Sequence, residues 1–117
     1  MEFFDRNGNA TCYCADGEHL YLWDGAPVGY FQEGRVYGFN GKLLGWIENG
    51  WLYDRQNKPA LFSEDAQGGP TKPTRKVKPV KSVRRVRPVK SVRQSAPTKP
   101  TRSSTWSASA NALYFSQ

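Results

Sequence analysis

Apolar and polar positions alternate in short runs throughout residues 1–66, and the runs are separated by turns rich in Gly, Asn and Asp. A period of two places successive side chains on opposite faces of a strand, and Asp-Gly or Asn-Gly between two such runs favours a hairpin. No apolar period of 3.6 residues extends beyond a turn, so a helix is not expected. The pattern predicts eight short antiparallel strands in a continuous meander.

One unit of this pattern occurs four times: an aromatic residue, an Asp or Asn, a turn, a short apolar stretch and a second aromatic residue. The copies are FDRNGNATCY, WDGAPVGY, FNGKLLGW and YDRQNKPALF. Asp24-Gly25 and Asn40-Gly41 predict two-residue type I′ turns in the inner copies, and the outer copies carry four-residue turns. Beside Phe4, which leads the first copy, the aromatic residues expected to form the core of the repeat are Tyr13, Trp23, Tyr30, Phe39, Trp46, Tyr53 and Phe62.

Four similar hairpins must bury their aromatic faces together, because an isolated hairpin is marginally stable in water. We expect an all-β fold in which the four hairpins form a pseudo-four-fold rosette and equivalent aromatic residues converge on a common axis. The alternative is an ordinary curled sheet or small barrel. In either arrangement, Gly29 and Gly45 are predicted to allow a close approach of neighbouring backbone.

Residues 71–103, the basic tail, form eleven triplets: TKP TRK VKP VKS VRR VRP VKS VRQ SAP TKP TRS. The first position is Val, Thr or Ser, and the second is Lys or Arg in ten triplets. A period of three is typical of an extended polyproline II conformation, which would align the valines on one edge. We expect that edge to dock on the folded part together with Trp106. The valines are Val77, Val80, Val83, Val86, Val89 and Val92.

Charge divides the chain. All ten acidic residues lie within residues 2–65, which carry five basic residues, whereas residues 72–102 carry twelve basic residues and no acidic one. As a free arm, the basic tail would bind nucleic acid or another polyanion by phosphate neutralisation without reading sequence, since it has no aromatic residue for base stacking. A membrane partner is unlikely because the tail has no bulky apolar anchor. The candidate polyanion-binding residues are Lys78, Lys81, Arg84, Arg85, Arg87, Lys90 and Arg93.

The run LYLWDGAPVGYFQEGRVYGFNGKLLGWIENGWLYD, the acidic residues 62–65, Gly68-Gly69-Pro70, the triplets and a Trp near the end together carry a family resemblance. The chain resembles bacterial proteins with a four-fold β-flower domain over nearly its whole length. The resemblance implies the hairpin rosette and implies no chemistry, because that family has no established activity.

The residues suited to chemistry do not form a recognisable site. Cys12 and Cys14 fall on one face of a strand and, with the only histidine, His19, are one ligand short of a closed zinc site. The Asp residues of the repeats sit where turns require a side chain that bonds the local backbone. We therefore expect reduced buried thiols, no catalytic residue, no metal and no cofactor. No signal-peptide pattern is evident, which indicates a cytoplasmic protein.

These observations divide the chain into a four-hairpin head (residues 1–66), a Gly/Pro linker with the basic tail (residues 67–103) and an aromatic carboxy-terminal latch (residues 104–117). The favoured interpretation is a small non-enzymatic structural or interaction module whose basic tail straps the head or mediates assembly, including self-association. The alternative is a nucleic-acid-associated protein in which the basic tail is the binding element.

Overall fold

A computed structural model describes residues 1–117 and confirms the eight predicted strands. The carboxy terminus adds a 3₁₀ helix, Ala112–Ser116, while the basic tail contains neither helix nor strand. No helix has the length and apolar composition required to cross a membrane. The strands are β1 (Glu2–Phe4), β2 (Ala10–Cys14), β3 (His19–Leu22), β4 (Pro27–Gln32), β5 (Arg35–Tyr37), β6 (Leu43–Glu48), β7 (Trp51–Tyr53) and β8 (Pro59–Ser63).

The sheet is a closed antiparallel barrel in which each strand pairs with the next and β8 pairs with β1. The four hairpins are β1–β2, β3–β4, β5–β6 and β7–β8, and each contains a register shift at the same place in its first strand. Closure leaves no unpaired sheet edge. The predicted meander of four hairpins around one axis is confirmed, and it takes the form of a small barrel.

The turns at Asp24-Gly25 and Asn40-Gly41 are not the predicted two-residue type. Only the glycine of each pair has a positive φ, +92° and +87°, and its amide donates to the carbonyl three residues earlier, at Leu22 and Gly38 respectively. A type I′ turn needs positive φ at both central residues. The outer hairpins close in the same way, so all four hairpins have equivalent four-residue turns.

Two-residue turns do occur, but between the hairpins. Glu33-Gly34 and Asn49-Gly50 have positive φ at both residues, and each joins directly paired strand ends. Tight connections between hairpins bring β4 against β5 and β6 against β7. Closure of the barrel therefore uses the same pairing between hairpins as within them.

The sheet register also changes which aromatic residues are equivalent. Tyr21 and Tyr37, rather than Trp23 and Phe39, occupy the position that Phe4 occupies in the first hairpin. Trp23 and Phe39 lie two residues further along, where the chain turns. The four cross-strand pairs that define this equivalence are Phe4 with Phe62, Tyr13 with Tyr21, Tyr30 with Tyr37 and Trp46 with Tyr53.

The barrel axis is not aromatic in the way that the repeat predicts. Each hairpin contributes one fully buried residue to the interior cluster, namely Phe3, Leu20, Val36 and Leu52. Strand neighbours point to opposite faces, so the residue after each of these lies on the outer face. The predicted repeat-core residues Tyr13, Trp23, Tyr30, Phe39, Trp46, Tyr53 and Phe62 are buried, but they form three outer clusters instead of converging on the axis.

The predicted close approach at Gly29 and Gly45 is confirmed. A Cβ at Gly29 would lie 2.6 Å from the Tyr37 carbonyl oxygen, and one at Gly45 would lie 1.7 Å from that of Tyr53. Both distances are far below van der Waals contact, so a side chain cannot fit. The absence of a side chain allows neighbouring strands to approach within the small barrel.

The latch reaches the head at two places. Tyr114 is fully buried in the interior cluster and donates a hydrogen bond of 2.9 Å from its hydroxyl to the Tyr53 carbonyl. Trp106 packs edge-on against Trp51 and Phe62, with ring centroids 5.4 and 6.4 Å away. The cap of the 3₁₀ helix is Asn111 rather than a serine, since its side chain accepts the Leu113 amide. The latch therefore contributes to both the inner and the outer packing.

Tyr114→Ala is expected to lower the free energy of unfolding by about 3–5 kcal/mol, because it empties a filled position in the barrel. Tyr114→Phe removes only the hydroxyl and should cost about 1 kcal/mol. Leu113→Ala is the matched control, since Leu113 is 61% exposed and lies next in sequence. Denaturant titrations give all three values, and equal losses for Tyr114→Ala and Leu113→Ala would contradict insertion of Tyr114.

Candidate interaction site: the basic tail on the outer face of the barrel

The basic tail runs around the outside of the barrel and bonds to each hairpin turn in order. Every ninth residue of the tail donates its backbone amide to a carbonyl of the head, and the acceptors are spaced by 16 or 17 residues, one hairpin repeat. One nine-residue unit of the tail therefore corresponds to one hairpin. The bonds are Lys76 to Gly8 (2.9 Å), Arg85 to Gly25 (2.9 Å), Gln94 to Gly41 (2.8 Å) and Ser103 to Asn57 (3.2 Å).

The length of the basic tail agrees with this path. An extended chain that rises about 3.1 Å per residue spans about 100 Å over residues 71–103. The molecule is a disc of 37 × 36 × 21 Å, and its perimeter is about 115 Å. The tail is thus long enough for nearly one circuit of its own head and too long to lie straight across it.

The turn glycines have a second role where the basic tail passes. A Cβ at Gly25 would lie 2.1 Å from the carbonyl oxygen of Val83, and Gly8 and Gly41 meet the carbonyls of Thr74 and Val92 in the same way. The glycine therefore supplies both the positive φ of the turn and the space for the tail backbone. Because these contacts use backbone atoms, they fix the path of the tail independently of its side chains.

Lysine and arginine side chains of the basic tail lie over the outer aromatic rings. One series with a nine-residue period covers the first aromatic residue of each hairpin, and a second covers the closing aromatic residue. The first series is Arg75 over Phe4 (5.4 Å to the ring centroid), Arg84 over Tyr21 (5.5 Å), Arg93 over Tyr37 (5.7 Å) and Arg102 over Tyr53 (4.1 Å). The second is Lys81 over Tyr13 (4.4 Å), Lys90 over Tyr30 (4.3 Å) and Lys99 over Trp46 (5.6 Å).

Carboxylates of the head complete this cation layer. Glu2 accepts from both Lys78 (2.8 Å) and Lys81 (2.7 Å), Glu18 pairs with Lys90, and Glu48 pairs with Arg102 and Lys99. The leading hydrogen bonds, from Lys78, Lys90 and Arg102 respectively, hold the pKa values of Glu2, Glu18 and Glu48 below their ordinary value. The head is therefore complementary in charge to the tail along much of its path.

The remaining second-position cations also contact the head. Lys72 donates to the Ala66 carbonyl at 2.7 Å, and Arg87 donates to the Tyr21 hydroxyl at 3.0 Å. Six of the seven predicted polyanion-binding residues, Lys78, Lys81, Arg84, Arg87, Lys90 and Arg93, are thus turned towards rings or carboxylates of the head. Arg85 occupies a third position, and it contacts the head through its backbone amide.

The prediction that the valine edge docks on the head is wrong. Val77, Val80, Val83, Val86, Val89 and Val92 are 90–96% exposed. The period of three places the first and second positions of each triplet on different edges, so only one of them can face the head. The cations occupy that edge because rings and carboxylates attract them, while the first position turns its carbonyl inward and its side chain outward.

Two tryptophans fix the basic tail and its linker through their ring nitrogens. Trp23 donates from Nε1 to the Pro79 carbonyl at 2.8 Å, and Trp51 donates to the Gly68 carbonyl at 2.9 Å. The sequence analysis assigned Trp23 to a central core and so missed this contact. The available signal was the nine-residue recurrence of VKPVKSVRR in VRPVKSVRQ, set against a head that repeats four times.

The residues considered for chemistry have structural roles. Cys12 and Cys14 are free buried thiols whose pKa values are raised by burial. Asp5 and Asp54 each accept two backbone amides of their own turns. His19 contacts Asp16 at 2.7 Å and Glu18 at 3.4 Å, a histidine between two carboxylates. No group of three or more metal-ligating side chains is brought together. The arrangement is suited to binding an extended basic chain.

A closed barrel of four equivalent hairpins defines this molecule as an all-β module with internal four-fold symmetry. The chain belongs to the family described as 4-fold beta flower protein, whose model matches residues 1–115. The match therefore includes the basic tail and most of the latch as well as the head. Neither the comparison with curated proteins nor that with solved structures gave a match.

Replacing Lys81 and Arg84 by Gln is expected to lower the free energy of unfolding by about 1–2 kcal/mol together, because each cation–ring contact contributes about 0.5–1 kcal/mol. The matched control is Val80→Ser with Val83→Ser, one residue earlier at exposed positions. Denaturant titration compares the two double variants. A larger loss for the valine pair would show that the valine edge, and not the cation edge, faces the head.

Acid is expected to loosen the basic tail before the barrel unfolds. The folded pKa values of Glu2, Glu18 and Glu48 lie below the ordinary 4.5, so their stabilising effect is complete above that pH and is lost as the pH falls through the folded values. Amide exchange of Lys76 and Gln94, corrected for intrinsic rates, should quicken on going from about pH 7 to about pH 3. Arg84→Gln removes a contact that involves no carboxylate, and should shift exchange similarly at both pH values. Tail protection unaffected by acid would contradict the role of the ion pairs.

Proposed function

We propose that the protein is a small non-enzymatic interaction module whose basic tail straps the head within the same chain. The observation that carries the proposal is the agreement of periods, in which nine residues of tail accompany each hairpin repeat and repeat the same amide and cation contacts. A tail selected only for positive charge would not need that register. The tail is therefore treated as part of the working fold.

Stability of a small head supports the strap. A head of 66 residues is near the size at which a single core is barely sufficient, and such domains commonly need a further constraint. Its outer ring clusters would form apolar patches if left uncovered, and patches of that kind promote association. The tail covers the rings with cations whose aliphatic stems also pack on them. Strapping thus stabilises the head and limits indiscriminate association.

A nucleic-acid-associated role is the second candidate, and the charge of the basic tail favours it. Twelve basic residues within residues 72–102 would bind phosphates if the tail were free. The inward orientation of most of these side chains argues for the strap, because phosphates would have to compete with rings and carboxylates already in contact. On this view, polyanion binding is coupled to release of the tail and is weak at ordinary salt.

The non-enzymatic part of the proposal is supported by the buried thiols and by the turn-bonding roles of the Asp residues. A cytoplasmic location also belongs to the proposal. Its support is the pair Cys12 and Cys14, which are unpaired thiols, as expected in a reducing compartment.

Hydrogen exchange on the full-length protein tests the strap. The amides of Lys76, Arg85 and Gln94 donate to the head, so they are expected to exchange at least about tenfold more slowly than those of Lys81 and Lys90 in the same tail. Adding single-stranded DNA at low salt should remove the difference only if the tail is released to bind it. Uniformly fast exchange in the protein alone would contradict strapping and favour the free cationic arm.

A further inference from the structure

The contacts between head and basic tail form a set of repeated binding sites. At three consecutive turns the same elements recur: a glycine carbonyl that accepts a tail amide, a tail carbonyl against that glycine, and an arginine over the first ring of the hairpin. At the fourth turn, Asn57 and Arg102 reproduce the amide and ring contacts. None of these contacts depends on the tail belonging to the same chain.

The linker between head and basic tail is suited to a change of direction. Gly68 and Gly69 have φ of +73° and +71°, and a Cβ at Gly68 would meet no other atom within 4 Å. Two consecutive glycines give the chain wide backbone freedom at the point where the tail leaves the head. A different linker conformation would carry the whole tail away from its own barrel without disturbing the strands.

We propose that the outer face of the head is a recognition site for an extended basic segment of this nine-residue pattern, and that the basic tail of a second copy is a partner that occupies it. The proposal rests on the strap of the proposed function. An exchanged tail would make the same amide, ring and carboxylate contacts, so only the linker would differ between the two arrangements. The intramolecular tail has an effective concentration in the millimolar range, so exchange requires its release.

Recognition at this face depends on spacing as well as charge. The amide donors of Lys76, Arg85 and Gln94 and the cations one residue before them must arrive in step with consecutive hairpins. A segment with the same charge and another spacing would reach some rings but not the turn carbonyls. The site is therefore expected to distinguish the period of a basic chain, which a simple acidic surface cannot do.

A full-length variant with an opened face provides the test. Lys81→Gln, Arg84→Gln, Lys90→Gln and Arg93→Gln remove four ring contacts of the tail and leave the head unchanged. A fluorescent peptide of residues 71–103 is titrated into this variant and into the wild-type protein. We expect one peptide to bind per variant molecule, at least about tenfold more tightly than to the wild type, in which the tail occupies the face.

A matched peptide separates pattern from charge. It has the same composition, with the triplets rearranged so that no nine-residue period remains, and should bind the variant at least about tenfold more weakly. Equal binding of both peptides, or binding of neither to a variant that retains amide protection in β3 and β4, would overturn the proposal. If that protection is lost, Arg84→Gln with Arg93→Gln replaces the quadruple variant and the same outcomes apply.

Exchange between copies is tested with wild-type chains. Isotope-labelled and unlabelled protein are mixed at high salt, which weakens the ion pairs, and are then returned to low salt. Mixed dimers in native mass spectra, with Lys76 and Gln94 amides still protected, are expected. Protected monomers alone, together with failure of the peptide titration, would overturn the trans site and leave the intramolecular strap intact. Unprotected wild-type tails would instead contradict the proposed function itself.

Discussion

The contact between a cation of the basic tail and an aromatic ring of the head is the interaction on which the rest of the molecule depends. The rings lie in cross-strand pairs on the outer face, because the barrel interior is filled by residues such as Leu20 and Leu52. Those rings cannot be buried by the head alone, and the tail cannot form a core alone. Each supplies what the other lacks, since the ring faces attract cations and the lysine and arginine stems cover apolar surface.

Two different periods meet in this contact because the two segments travel differently. A hairpin repeat uses 16 or 17 residues to move one place around the barrel, since the chain goes up one strand and down the next. An extended tail outside the barrel covers the same angle in nine residues, at a rise of about 3.1 Å each. Only this combination of rise and perimeter lets Arg84 and Arg93 reach equivalent rings.

The interior and the outer face consequently serve different purposes. The interior cluster, completed by Tyr114, gives the barrel a tightly packed centre. The outer clusters act as a surface that receives a basic chain, bounded by carboxylates such as Glu2 and Glu48. A binding function on this outer surface therefore does not require a pocket or a catalytic group, and the same surface explains why the tail carries charge and a strict period at once.

The sequence by itself determined the strands, their order and the places of close approach. Alternation with a period of two, frequent turns and glycines such as Gly45 are local signals, and local sterics decide their outcome. Tertiary structure decided which face of each strand turns inward. Tyr13 and Leu20 both fit a buried position, and only closure of the barrel places Leu20 inside and Tyr13 outside. A period of three likewise shows that Val83 and Arg84 lie on different edges of the tail, but the ring of Tyr21 decides which edge faces the head.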